Sequence, residues 1–148
     1  MKIEIAGADD LDVINRIRLA VASDNSSGHD LSIIDKLEIE HNEERVTFIC
    51  LMDSGVTGYI TIYKTCLFCE ENDVMLDVFV HPDFQGRGMG TKLIEACVKH
   101  ASQATETNRI FLGVLNCNYG AISLYERHGF ITFSEDAEGK YMVLKVQR

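Results

Sequence analysis

The densest chemistry in the chain lies at Leu76-Asp77-Val78-Phe79-Val80-His81-Pro82-Asp83-Phe84-Gln85-Gly86-Arg87-Gly88-Met89-Gly90-Thr91. An apolar run reads as a buried strand and leads into the chain's one proline. Three glycines at alternating positions follow, and then a helix. Glycines at 86, 88 and 90 let successive backbone N–H groups turn toward one point with no Cβ in the way. The helix behind them adds partial positive charge and more donors, and Arg87 stands among them. This is a cradle for a phosphate or pyrophosphate. Two other phosphate loops fail on spacing. A P-loop needs Gly-x-x-x-x-Gly-Lys-Ser/Thr, and the chain has no such run. A dinucleotide fingerprint begun at Gly86 needs Gly or Ala at position 91, where Thr91 stands.

A second constellation lies downstream at Asn118-x-x-Ala121-x-x-x-Tyr125-x-x-x-Gly129-Phe130. With it, Val80-x-Pro82-x-x-Gln85-Gly86-x-Gly88-x-Gly90 resembles the acetyl-CoA loop of the GNAT N-acetyltransferases, and the downstream group resembles that family's second signature. The two stand in the family's order, with one helix and one strand between them. The resemblance covers about residues 74–134, while residues 1–73 agree in element order alone. It implies acetyl-CoA as co-substrate, with no metal. It implies that the backbone amides of Gln85, Gly86, Arg87, Gly88, Met89 and Gly90 bind the pyrophosphate, with Thr91 beside them. The strand edge at Val78, Phe79 and Val80 would pair with the pantetheine amides, and Asn118 would hydrogen-bond the pantetheine arm. Tyr125 would place its hydroxyl near the thioester sulfur. In the family, the acetyl-CoA strand and the next, here Ile110 to Leu115, splay apart around the thioester.

The chemistry supports these roles on its own terms. Aminolysis of a thioester must stabilise an oxyanion, which a backbone N–H on a splayed strand can do. It must also protonate or solvate a departing thiolate. A phenol of pKa ~10 suits a thiol of pKa ~8.5. The plainer reading of Tyr125 is a core aromatic at helical spacing from Ala121 and Ile122. The base is less evident. A Lys-like amine of pKa ~10.4 is neutral to about one part in a thousand at pH 7, a cost of roughly 4–5 kcal/mol. Some relatives carry a glutamate five residues ahead of the signature asparagine, and that position here is Gly113. Asp77, on the acetyl-CoA strand, is the nearest alternative. A water chain ending at Asp77, Asp73 or His81 is another, and a strand carboxylate bonded to backbone or an arginine is the plain reading.

The elements that must position these groups follow from periodicity. Ile3 and Ile5 alternate with Lys2 and Glu4 in a first strand. Leu11, Ile14, Ile17 and Val21 give a helix to about Ala22, capped at Asp9 or Asp10. A second helix is predicted at about Leu31 to Glu40. Strands follow at Val46–Met52, Val56–Thr65 and Val74–Val80, the last apolar enough for a sheet centre covered on both faces. A helix from about Gly88 to Ala101, a strand at Ile110–Leu115 and a helix at Asn118–Arg127 come next. Gly129 supplies the left-handed stop. Strands at Phe130–Phe133 and Lys140–Val146 end the order. The fold class is α/β of the α+β kind, one GNAT-like domain over 1–148. Its mixed, mostly antiparallel sheet has about six or seven strands and is flanked by about four helices.

Composition bounds the function. The 148 residues carry 14 Lys and Arg against 23 Asp and Glu, a net charge of −9, which argues against nucleic acid or an anionic membrane as partner. No apolar run approaches the ~20 residues of a membrane span. Glu4 and the Asp9-Asp10 pair interrupt any apolar signal core, so cytoplasmic residence is the expectation. Five cysteines, irregularly spaced, read as reduced thiols. Cys66-x-x-Cys69 lacks the second pair a zinc knuckle needs. Cys97 and Cys117 read as buried hydrophobes and His128 as a helix-end dipole partner. Glu40, Glu43, Glu44 and the Glu70, Glu71, Asp73 group read as solvated faces.

Two functions result. The first is an acetyl-CoA-dependent N-acetyltransferase acting on a primary amine by direct attack in a ternary complex. The acceptor would be a small molecule or a protein amine, and the charge tilts toward a cation. The alternative is a catalytically weak acetyl-CoA-binding module with a sensing role, which would not need the Tyr125 phenol. The apolar final strand offers pairing across a homodimer.

Overall fold

In the computed structural model, residues 1–23, 45–64, 69–103 and 106–147 are described. The alternating and apolar runs become β1 (Lys2–Ile5), β2 (Arg45–Met52), β3 (Gly55–Tyr63), β4 (Asp73–Val80), β5 (Arg109–Leu115), β6 (Ile131–Glu135) and β7 (Gly139–Lys145). The helical stripes become α1 (Leu11–Ser23), α2 (Met89–Gln103) and α3 (Tyr119–Arg127). Three helices among the described residues are fewer than the four anticipated, and the one predicted over 31–40 falls outside them. The strands form one sheet in the order β1-β2-β3-β4-β5-β7-β6. Neighbours are antiparallel except β4 and β5, which run parallel. None of the described helices is long and apolar enough to cross a membrane.

Helices cover the sheet from both sides. On one face, Ile14, Ile17 and Val21 of α1 pack with Ile49 and Tyr59, and Phe79 lies against them. On the other, Met89, Leu93, Ile94 and Cys97 of α2 and Tyr125 of α3 pack with Ile60, Ile62, Leu76, Ile110 and Leu112. Each such apolar side chain contributes about 1.5–3 kcal/mol when fully buried. The strand period of two follows from this division. Leu76, Val78 and Val80 face α2, so Asp77 shares the α1 side with Phe79.

The feature that matters most for function is where pairing stops. β4 and β5 are joined at three pairs, Asp73↔Arg109, Val74↔Ile110 and Met75↔Phe111. Beyond them, β4 remains on β3 as far as Gly58↔Val80, and β5 remains on β7 as far as Leu115↔Gly139. A gap therefore opens inside the sheet. At its closed end, Asp73 is buried, and Arg109 donates to it through Nη2 at 2.6 Å and Nε at 3.2 Å.

Several expectations are corrected here. β4 is not covered on both faces throughout: its last four residues are half-buried, because the gap takes away their β5 neighbours. Asp73 is no part of a solvated face, being 2% exposed, while Glu70 is open to solvent. β7 cannot pair across a dimer, since β5 and β6 occupy both its edges. On that side of the sheet the outer edge belongs to β6, exposed along its whole length. Cys69 is disulfide-bonded, so the thiols are not all reduced, although Cys50, Cys97 and Cys117 are free. Cys117 is exposed rather than buried. Cys66 and Glu40, Glu43 and Glu44 lie outside the described residues.

Candidate active site

The gap continues into a cavity of about 570 Å³. Leu76, Asp77, Val78, Phe79 and Val80 form its β4 wall, and Gly113 and Val114 its β5 wall. The loop after β4 closes one end. Pro82–Phe84 make a single 3-10 turn, with His81 accepting from the Asp83 amide through Nδ1 at 3.1 Å. Gln85 ties the loop back to the strand, its Nε2 donating to the Val80 carbonyl at 3.0 Å. Gly86 and Gly88 adopt φ of +78° and +85°. Left-handed backbone at both positions turns the intervening amides, which is the conformation their glycines were read to allow. The first hydrogen bond of α2 runs from Lys92 to the Gly88 carbonyl at 3.1 Å. The amides of Met89, Gly90 and Thr91 precede it and are not taken up by the helix.

Most sequence-predicted cofactor residues line this one cavity: Val78, Phe79, Val80, Gln85, Gly86, Gly88, Met89, Gly90, Thr91 and Asn118. Met89 does so with its backbone, since its side chain is buried in the core. The Arg87 side chain is not among the cavity's lining groups. It is exposed, and its guanidinium lies over the Phe84 ring, 5.4 Å from the centroid. Arg127, in the last turn of α3, lines the cavity instead. Asn118 caps α3, its Oδ1 accepting from the Ala121 amide at 3.3 Å. Its Nδ2 is then the group that can serve a ligand. Gly90 lets α3 approach α2 closely, as a Cβ there would stand 2.9 Å from Leu124.

The two predicted catalytic residues both face the cavity. Tyr125 is 5% exposed, with its ring 5.9 Å from that of Phe130. Burial pushes its phenol well above the ordinary range, and the charge of Asp77 pushes the same way. Tyr125 comes from the α2 side of the sheet and Asp77 from the α1 side, so they flank the gap from opposite faces. Continuing the register, Asp77 falls level with Gly113, where a Cβ would lie 3.3 Å from the Tyr141 ring.

Sequence reading missed Tyr63. Its hydroxyl donates to Asp77 Oδ2 at 3.0 Å. Alternation along β3 placed Tyr59, Thr61 and Tyr63 on one side, but which carboxylate they meet depends on the β3–β4 register. The other acids and thiols considered earlier stand apart. Asp73 is paired with Arg109 at the closed end, and burial pushes the Cys97 thiol up to about 12, far from nucleophilic. His128 holds the Leu124 carbonyl through Nδ1 at 2.9 Å, the helix-end role read from sequence.

The sheet thus parts around a cavity with a turned helix N-terminus at one end and a carboxylate and a phenol flanking the gap. The chain belongs to the acetyltransferase (GNAT) family, whose model matches residues 11–130. Spermine/spermidine N(1)-acetyltransferase of Bacillus subtilis is 34% identical over 68 residues, 45% of this chain and 45% of that one. The chain thus matches less than half the length of that enzyme. An N-alpha-acetyltransferase of Saccharolobus solfataricus is 26% identical over 135 residues, 84% of this chain and 77% of its own. Among solved structures, yncA of Salmonella typhimurium, determined with its cofactor acetyl-CoA, superposes with a TM-score of 0.78. It covers 99% of this chain and 94% of its own at 20% identity, a likeness of fold. Family and neighbour together support acetyl-CoA as co-substrate.

Proposed function

We propose that the enzyme moves acetyl from acetyl-CoA to a cationic primary amine by direct attack within a ternary complex. The observation that carries this reading is the gap beyond Met75 and Phe111, flanked by Asp77 on one face and Tyr125 on the other. Pantetheine lies along the open edge of β4 at Val78 to Val80. The pyrophosphate lies on the amides from Gln85 to Thr91, with Arg127 as the nearby cation.

The amine enters from the α1 side. Asp77 holds its ammonium group and takes a proton, directly or through water. The neutral nitrogen attacks the thioester carbon, the C–N bond forms, and an N–H of the parted strands steadies the oxyanion. The C–S bond then breaks toward the opposite face. Tyr125, protonated across the working pH range because burial raises its phenol, donates a hydrogen bond to the departing sulfur and the proton that leaves it a thiol. The second proton shed by the nitrogen as the amide forms passes through solvent to the phenolate and restores the phenol, and Asp77 gives up its proton to solvent. Holding both reactants in one gap supplies much of the rate by orientation.

A net charge of −9 steers cations inward, and the name of the Bacillus relative makes spermidine the first acceptor to try. Acetyl-CoA binding by calorimetry, followed by free-thiol release against spermidine, simple alkylamines and peptide N-termini from pH 6 to 9, tests the reading. Binding with amine-dependent release supports it. Binding with slow release that no amine accelerates leaves only the acetyl-CoA-holding function, and no binding overturns the cofactor site.

A further inference from the structure

We propose that Tyr63 is a positioning residue for the reaction: its hydroxyl donates to Asp77 Oδ2 at 3.0 Å and holds that carboxylate at the mouth of the gap. The inference rests on the role given to Asp77 above. An aspartate on an open strand edge can turn among rotamers, and each turn moves its oxygens away from an incoming amine. A phenol fixed in a neighbouring strand removes that freedom. Tyr63 is well placed to do so, since β3 and β4 are in unbroken register from Gly58↔Val80 to Tyr63↔Met75. Thr61 stands directly opposite Asp77, and Tyr63 reaches it diagonally on the same face. Thr61 is itself held, its Oγ1 lying 2.9 Å from that of Thr47 on β2. The row from β2 to β4 is therefore a rigid polar strip along the α1 side.

Charged and titratable groups face Asp77 from several elements. Arg45, paired with Tyr63 across β2 and β3, acts on the Tyr63 phenol from behind. Arg18 of α1 donates to the Tyr59 hydroxyl at 3.0 Å and lies over the Phe79 ring, further along the same face. Tyr125 faces Asp77 across the gap. Tyr63 is the phenol that touches the carboxylate. Burial first, then the charge of Asp77 and the hydrogen bond to it, keep the Tyr63 phenol protonated, so it donates at every working pH. A bond donated to a carboxylate favours its charged form.

The test is a cycle of Tyr63→Phe, Asp77→Asn and the double variant, with spermidine as acceptor and thiol release followed from pH 6 to 9. We expect Asp77→Asn to lower kcat/KM for spermidine by about 10²-fold. Tyr63→Phe should lower it about 3–10-fold, move the acid limb to higher pH and leave the KM for acetyl-CoA unchanged. The double variant should be no worse than Asp77→Asn. An equal loss from Tyr63→Phe in both backgrounds means the tyrosine acts apart from Asp77 and overturns the inference. Full activity in Asp77→Asn overturns the base itself. A second readout needs no acceptor: the Asp77 carboxyl carbon, followed by NMR, should titrate at higher pH in Tyr63→Phe than in the wild type, and identical curves refute the positioning.

Discussion

A phenol that is 5% exposed and lies against a carboxylate-bearing gap can lose its proton only at great cost, and the role of Tyr125 follows from that. Its raised value means the protonated form persists through the whole assay range, so ionisation of Tyr125 contributes no fall in rate on the alkaline side. Replacing it with Phe keeps the packing against Phe130 and removes one oxygen. We expect Tyr125→Phe to lower kcat by about 10²-fold or more, with the melting temperature and acetyl-CoA KM nearly unchanged. Initial rates of thiol release decide it, and normal turnover would mean the sulfur leaves without this donor. The same scale shows where sequence is blind. That Tyr125 and Asp77 line the cavity was legible because each sits in or beside a motif with fixed spacing. Tyr63 was not, because a strand's alternation reveals a face and never the residue across from it. Arg127 escaped notice for a related reason: Arg87 adjoins the glycines in sequence and its side chain lies over Phe84, while Arg127 reaches the cavity from another helix.

Among elements, the loop between β4 and α2 is the one whose backbone is proposed to carry the binding. Gly88 at φ +85° has nothing within 4 Å of where a Cβ would be, so an added methyl meets no clash and acts by conformational strain alone. Such strain is roughly 1–2 kcal/mol per residue. Gly88→Ala should therefore weaken acetyl-CoA binding about tenfold by calorimetry while kcat at saturation changes little. Unchanged affinity would show that the loop does not need its left-handed turn. Most element boundaries were legible to within a residue or two, because caps, periodicity and turn residues agree locally. The position of β7 was not. Tyr141 to Val146 reads as a strand open to pairing across a dimer, and only the sheet order places it between β5 and β6.

At the scale of the molecule, β1 to β4 and β5 to β7 are two half-sheets joined within the sheet by three residue pairs and by Asp73 with Arg109, and bridged on one face by the core under α2 and α3. Asp73 is buried, but the Arg109 side chain is 37% exposed and can turn to water once its partner is lost. Breaking the pair should thus cost less than a fully enclosed one. Asp73→Asn is expected to destabilise the fold by about 1–2 kcal/mol. That lowers the melting point by about 3–6 °C for a chain of this size. A thermal melt with no shift would show that the closed end is held by backbone pairing alone.

The short seam between these half-sheets acts as a pivot. Any rocking of one slab against the other displaces atoms in proportion to their distance from Met75. Asp77 is two residues out, about 7 Å, whereas Val80 is five residues out, about 17 Å. Such rocking would carry Val80 and the loop that follows it through the widest arc. The carboxylate and its tyrosine sit near the fulcrum, where the lever arm is short and thermal motion disturbs their geometry least.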